Sequence, residues 1–134
     1  MKIKYLVIIL GLINANTMHA QKQVSLLEMD KVNEYLSLSL DQYKTINEKV
    51  EHIKEVLEED KKIIADLRTR FKNGDEPGFF EKIRVKNARD KRVDKIEELL
   101  DSIEKQLDNE QKIKYRNNID KPVLKALDKK ELTE

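Results

Sequence analysis

One sequence feature restricts the possible folds more than any other: apolar residues recur in alternating steps of three and four between residues 43 and 71. Eight of the nine positions in this heptad pattern are apolar, and Asp60 is the exception. Such spacing predicts a long amphipathic helix, because side chains three and four residues apart share one face. Over residues 41–71 the helix would be a rod of roughly 45 Å, which cannot bury its apolar stripe alone. The nine positions are Tyr43, Ile46, Val50, Ile53, Leu57, Asp60, Ile64, Leu67 and Phe71.

The middle of the chain holds a hexapeptide rich in helix-breaking residues, which contains Gly74, Pro77 and Gly78. Glycine readily adopts a positive φ and proline lacks a backbone N–H, so we expect the long helix to end here and the chain to turn. Phe79 opens another helix, on which the spacing of apolar residues resumes over residues 93–107. Because the two stripes can face each other, the sequence predicts an all-α fold built on a long antiparallel helical hairpin.

Three segments carry a capping box, in which a Ser or Asp side chain accepts from a backbone N–H three residues later and a Glu or Gln side chain reaches back. This pattern predicts helix starts. We expect a short first helix over about residues 26–36, a long second helix from Ser39, the third from Phe79, and a fourth from Asp108 that Pro122 ends. The capping pairs are Ser25 with Glu28, Ser39 with Gln42, and Asp108 with Gln111.

The beginning of the chain reads as an export signal. Residues 1–20 combine two early lysines, an apolar run over residues 5–13, and small or polar residues up to Ala20. This pattern predicts a cleaved signal peptide. The alternative is an uncleaved membrane anchor, but the apolar run falls well short of the roughly 20 residues needed to span a bilayer. We therefore expect an exported, soluble helical domain over 21–121, a short helical or disordered charged tail over 122–134, and no partnership with nucleic acid.

Few residue types suited to catalysis or metal binding are present. The chain has no Cys, which excludes disulfides, thiolate metal sites and a Cys nucleophile. His52 is the one His beyond residue 20, so a transition-metal site would need a second copy of the chain and a carboxylate such as Glu51 or Glu55. The simpler interpretation is a solvated helix residue. The serines have no nearby base, and we predict neither an enzyme nor a cofactor.

Charge is distributed unevenly along the two long helices. Residues 82–95 hold seven basic and two acidic side chains, whereas residues 48–60 hold six acidic and two basic ones. Two interpretations remain open. The oppositely charged helices pair along their edges, or the basic stretch, which interrupts the apolar stripe at Asn87, Arg89 and Asp90, forms a wet cationic surface that attracts acidic or unfolded partners.

Two of the capping boxes lie within longer motifs. Residues 36–42 read Leu-x-Leu-Ser-x-x-Gln, and residues 107–111 read Leu-Asp-x-x-Gln, with Leu38 and Leu107 69 positions apart. With the predicted signal peptide, this pair resembles the LTxxQ-motif family of periplasmic helical stress proteins, the Spy/CpxP family, over roughly residues 36–119. Ser and Asp replace the usual Thr, and both are good N-caps. The motif residues are Leu36, Leu38, Ser39, Gln42, Leu107, Asp108 and Gln111.

The resemblance implies a fold and a function. Members of the family form a four-helix, cradle-like homodimer, and the implied activity is ATP-independent, holdase-type protection of unfolded or misfolded proteins in the periplasm. Two alternatives stay open: an accessory protein of envelope-stress signalling that binds a sensor-kinase domain, and a periplasmic metal-sensing protein of the same fold. The absence of Cys and the single His52 count against metal sensing.

A chaperone of this kind needs cations that steer the client and apolar side chains that bind it. The basic stretch of the third helix supplies the first group, and the start of that helix with one residue of the first helix supplies the second. A competing role for the two phenylalanines is to close the hairpin core. The candidate client-binding residues are Arg84, Lys86, Arg89, Arg92 and Lys95 for steering, and Phe79, Phe80, Ile83, Val85 and Met29 for apolar contact.

Overall fold

The computed structural model describes residues 24–133, in which helices account for most of the chain and confirm the all-α class. The predicted signal peptide, residues 1–20, lies outside the described residues. The helices are α1 (Met29–Leu36), α2 (Leu40–Lys72), α3 (Phe79–Lys105), α4 (Asn109–Asn118) and α5 (Lys129–Thr133), and two short strands are β1 (Val24–Ser25) and β2 (Ile119–Asp120).

The two long helices, α2 and α3, pack against each other along the predicted apolar stripes. The two helices are antiparallel. Asp60 on α2 contacts Arg92 on α3, and Arg70, ten residues further along α2, contacts Glu81, which lies earlier on α3. The connecting loop turns at Gly74, whose φ of +75° lies in the left-handed region that glycine tolerates. The turn therefore forms where the glycine- and proline-containing hexapeptide predicts it.

One half of this helix pair carries the apolar core. There α1, α4 and the strands cover the start of α2 and the end of α3, and together they bury a single cluster of apolar side chains. The parallel pairing of Val24 with Ile119 joins β1, which precedes α1, to β2, which follows α4. The main core consists of Leu26, Met29, Val32, Leu36, Ile46, Val50, Ile53, Leu99, Ile103, Leu107, Tyr115 and Ile119.

The predicted start of the first helix is wrong. Helix α1 begins at Met29 instead of near residue 26, and its N-cap, Glu28, makes no side-chain capping bond. Ser25 belongs to β1, and its hydroxyl accepts from the Leu27 N–H at 3.2 Å. The physical reason is the non-local pairing with β2, in which the Leu26 N–H donates to the Asp120 carbonyl at 2.9 Å and holds this segment extended.

The other two capping boxes are confirmed. The Ser39 hydroxyl accepts from the Gln42 N–H at 3.1 Å, and the Gln42 side chain accepts from the Ser39 N–H at 3.0 Å. The same two bonds join Asp108 and Gln111 at 2.8 and 3.0 Å. Helices α2 and α4 consequently begin at the residues that the motifs predict.

Beyond β2 the chain lies along the other half of the helix pair. We name residues 121–133 the strap. Residues 121–128 have no regular secondary structure, and the short helix α5 follows them. Arg68 Nε on α2 donates to the Glu131 carbonyl at 2.6 Å, which fixes the strap beside the end of α2.

Candidate functional site

The two motif glutamines join the start of α2 to the start of α4. Gln42 Nε2 donates to Gln111 Oε1 at 2.8 Å, and Gln111 Nε2 donates to Gln42 Oε1 at 3.2 Å. Gln111 Nε2 also donates to the Leu36 carbonyl of the first motif at 3.0 Å, and Gln42 Nε2 donates to the carbonyl of Gln106, the residue before the second motif, at 2.8 Å. We call Gln42 and Gln111 the amide pair.

The amide pair holds the two motifs together beside the main core. Each side chain caps its own helix and bonds to the other motif, while Leu36 and Leu107 are buried in the main core and Leu38 packs against it. A buried amide whose donors and acceptors are hydrogen-bonded stabilises one arrangement of the residues around it. The sequence predicts the caps but not the contact between the motifs, because nothing local shows that residues 69 positions apart meet.

A buried ion cluster occupies the middle of the helix pair. Arg92 Nε donates to Asp60 Oδ1 at 2.9 Å, and Arg89 Nη1 lies 3.3 Å from Asp60 Oδ2. Arg89 Nη2 also donates to the Glu131 carboxylate on the strap, at 3.1 and 3.3 Å. We call Asp60, Arg89, Arg92 and Glu131 the ion cluster. It joins α2, α3 and the strap where the apolar stripes are interrupted.

The prediction that Arg89 and Arg92 steer clients on a solvated surface is wrong. Arg89 is 3% exposed and Arg92 is 9% exposed, because both point toward Asp60 between the helices. Asp60 interrupts the apolar stripe of α2 and Arg89 interrupts that of α3, and these two side chains contact each other. The two breaks are visible in the sequence and point to a contact between Asp60 and Arg89, whereas no local signal indicates that Glu131 joins it.

Met29 is likewise not available for client contact. It is buried in the main core at the start of α1, where it packs with the apolar side chains of α2 and α4. Val85 is half-buried, and Lys95 is half-buried and lies 3.7 Å from Glu98. The structure therefore separates the ten candidate residues into a buried group, an intermediate group and an exposed group.

The exposed group forms a compact surface at the start of α3. Phe79 is 72% exposed, Phe80 is 74% exposed and Ile83 is 42% exposed. The two rings meet edge to face with centroids 5.5 Å apart, and Ile83 follows them at helical spacings of four and three. These rings do not close the hairpin core. Arg84 and Lys86 are also exposed on the next turn, and we call these five residues the tip patch.

Ion pairs hold the loop beneath the tip patch. Arg70 at the end of α2 pairs with Glu81 on the first turn of α3, and its Nε donates to Asp75 Oδ2 in the loop at 3.1 Å. The Arg70 guanidinium lowers the pKa of the Glu81 carboxyl, helped by a hydrogen bond from the Gly78 backbone. The loop and the first turn of α3 are consequently held together while the rings remain in solvent.

The described residues contain no group of three or more His, Asp or Glu side chains arranged to hold a metal ion. His52 is exposed on α2, as the simpler interpretation expects. Among helices in the range 24–133, none combines the length and apolar character needed to cross a bilayer.

Comparison with known proteins gives no match: no family model fits the sequence, and neither a curated protein nor a solved structure shows significant similarity to it. The likeness to the LTxxQ-motif family is therefore an interpretation of the two motifs. Among the ten candidate client-binding residues, the five of the tip patch are the exposed ones, with two aromatic rings and flanking cations.

Proposed function

We propose that the protein is an ATP-independent, holdase-type chaperone of the periplasm that binds unfolded or misfolded proteins at the tip patch. The single observation that carries the proposal is the exposure of Phe79 and Phe80 beside Arg84 and Lys86. Exposed aromatic side chains that are grouped together mark interaction surfaces more often than isolated ones do. The motif pair and the predicted signal peptide support the periplasmic location.

The chemistry of the tip patch suits weak binding of many sequences. Two rings and a branched aliphatic side chain give non-directional apolar contact, and aromatic rings bury a large area with few rotatable bonds. The cations attract acidic segments over a longer range, and salt screens this attraction. No nucleotide is needed for such binding, since release follows from the weakness of each contact.

We also propose that the protein acts as a homodimer, as the resemblance implies. A second copy would extend the surface available to a client, and light scattering on the chain from Gln21 onward would measure the mass. A saturable one-to-one complex with a sensor-kinase domain, without general suppression of aggregation, would instead support the envelope-stress signalling role.

The first experiment follows the aggregation of a chemically unfolded client without ATP, with the chain from Gln21 onward. We expect suppression near stoichiometric amounts, and a loss of at least fivefold in the double variant Phe79→Ser/Phe80→Ser. Ile113→Ser is the matched control, because Ile113 is 59% exposed on α4 and lies outside the tip patch. Full suppression by the double variant, with helicity retained, would remove the tip patch as the binding surface.

A second experiment tests the cations. Arg84→Gln/Lys86→Gln should weaken suppression at low salt about threefold and lose most of the salt dependence that the unmodified chain shows. Lys61→Gln/Lys62→Gln makes the same charge change on an exposed part of α2 and should leave suppression unchanged. Equal effects of the two double variants would mean that net charge, not the tip patch, controls binding.

A further inference from the structure

The strap is attached to the helix pair by contacts that resemble the binding of a peptide. Arg89 Nε donates to the Lys125 carbonyl at 2.9 Å, and Arg68 Nε donates to the Glu131 carbonyl at 2.6 Å. The Glu131 carboxylate accepts from Arg89 Nη2. Two backbone carbonyls and one carboxylate are therefore recognised by guanidinium groups, and neither carbonyl contact depends on the side chain of the strap residue.

Apolar contacts complete the attachment. Leu127 and Leu132 of the strap line one side of a groove whose other wall includes Leu67, Phe71 and Val85 of the long helices. Helix α5 has five residues and none of them is buried. The groove therefore receives two leucines of the strap, Leu127 and Leu132, and Glu131 precedes the second of them.

The fit between strap and groove is loose. The groove keeps about 220 Å³ of open space among these leucines, Phe71 and Pro77. A larger apolar side chain in this space would gain contacts that the leucines do not make. The groove has room for an aromatic side chain in place of Leu132.

Beside the groove, the ion cluster holds two guanidinium nitrogens without a hydrogen-bond partner in the described part of the chain. Within the described residues, Arg89 Nη1 and Arg92 Nη2 are buried and make no hydrogen bond. In the folded chain, Glu131 of the strap is the second carboxylate of the ion cluster, beside Asp60. The position of Glu131, next to the groove residue Leu132, is therefore suited to a carboxylate.

We propose that the groove is a binding site for a segment of another polypeptide that carries an aliphatic residue, an acid four residues later and a bulky apolar residue next to that acid, and that the strap is its resident competitor. The inference goes beyond the proposed function, because the groove shares only Lys86 with the tip patch and none of its exposed apolar side chains. It stands whether or not the tip patch binds unfolded clients.

The test uses the chain from Gln21 onward and a labelled synthetic peptide of residues 121–134. Glu131→Gln/Leu132→Asn in the chain releases the strap, and fluorescence anisotropy should show that this variant binds the peptide at least tenfold more tightly than the unmodified chain. Lys130→Gln is the control, because Lys130 is exposed and does not line the groove. A peptide with Leu132→Phe should bind more tightly, and one with Glu131→Gln more weakly.

A measurement on the unmodified chain avoids any folding defect of the variant. Excess unlabelled peptide should accelerate amide hydrogen exchange across residues 125–133 of the chain, while the core of α2 keeps its protection. Unchanged exchange there, or equal affinity of the peptide for the released and unmodified chains, would overturn the proposal. Neither result would depend on whether the chain suppresses aggregation.

Discussion

Gln42 and Gln111 exchange two hydrogen bonds through their side-chain amides, at 2.8 and 3.2 Å, while each also caps the helix on which it lies. The start of α2 and the start of α4 are thereby joined through two side chains. Each motif therefore begins a helix and also forms a tertiary contact with the other motif.

Replacing Gln111 by Ala should lower the free energy of unfolding by about 2–3 kcal/mol. Gln111 is 7% exposed, and its loss leaves the Leu36 carbonyl and the Gln42 amide without their partner. Urea denaturation would measure the change. Adding Gln42→Ala should give a coupling energy of about 1 kcal/mol, because the two side chains are in direct contact.

Gln106→Ala is the control for the amide pair. Its backbone carbonyl accepts from Gln42 Nε2, whereas its own side chain is exposed, so the change should stay within about 0.5 kcal/mol. If Gln111→Ala cost no more than Gln106→Ala, the amide pair would have no role in stability.

Asp60→Asn should be among the most damaging substitutions in the chain. It removes the carboxylate that both Arg89 and Arg92 face, and breaking a buried pair on one side typically costs about 3–5 kcal/mol. The triple change Asp60→Leu/Arg89→Met/Arg92→Leu should recover most of this loss, because it removes the buried charges together. Chemical denaturation of the variants provides the comparison.

Asp66→Asn provides the reference, since Asp66 is exposed on the same helix and should change stability by less than about 0.5 kcal/mol. If the triple variant were less stable than Asp60→Asn alone, the ion cluster would stabilise the fold by more than the neutralisation of its own buried charges.

The two loop glycines should respond to the same substitution with opposite signs. Gly74→Ser forces a side chain into a φ of +75° and should cost about 1 kcal/mol. Gly78 is the N-cap of α3, has a φ of −68° and has open space around it, so Gly78→Ser should stabilise by about 0.5 kcal/mol through a cap bond. Thermal unfolding of both variants would separate them, and equal effects would contradict the assigned conformations.

Alkaline pH should destabilise the fold through Tyr115. Burial raises the pKa of its hydroxyl, with the charges of Glu104 and Asp101 acting in the same direction. Above pH about 10 the unfolded chain releases this proton while the folded chain retains it, so the free energy of unfolding falls by up to about 1.4 kcal/mol per pH unit. Below that pH both states hold the proton and the contribution is constant.

Tyr115→Phe isolates this effect. The variant should lose about 1 kcal/mol at pH 7, because the hydroxyl donates to the Leu100 carbonyl, and it should lose less stability than the unmodified chain between pH 9 and 11.5. Urea unfolding across this range gives the difference directly. Parallel pH curves for the two proteins would contradict the assignment.

Sequence reasoning succeeds for features that depend on neighbouring residues. The heptad spacing, the capping boxes at Ser39 and Asp108, and the glycine- and proline-containing turn all predict helices that the structure contains. It fails where a distant segment competes with a local signal. Ser25 carries a capping pattern, yet its pairing with Asp120 in a strand prevents the cap from forming.

The candidate site also contains some features that the sequence predicts and others that depend on distant segments. Exposure of Phe79 and Phe80 agrees with the binding role considered for them, but the burial of Arg89 and Arg92 does not follow from composition. A run of basic residues is normally solvated, and the exception arises because Asp60 lies opposite in the folded chain.

The sequence by itself determined which segments become helices, where two of them begin and where the hairpin turns, because these outcomes depend on backbone hydrogen bonds and contacts within a few residues. Only the tertiary structure decided which charges are buried, how Gln42 meets Gln111 and where the strap lies. Those outcomes depend on which side chains the packing brings together from distant parts of the sequence. Burial changes the free energy of a charged group far more than the choice of one charged residue type over another does.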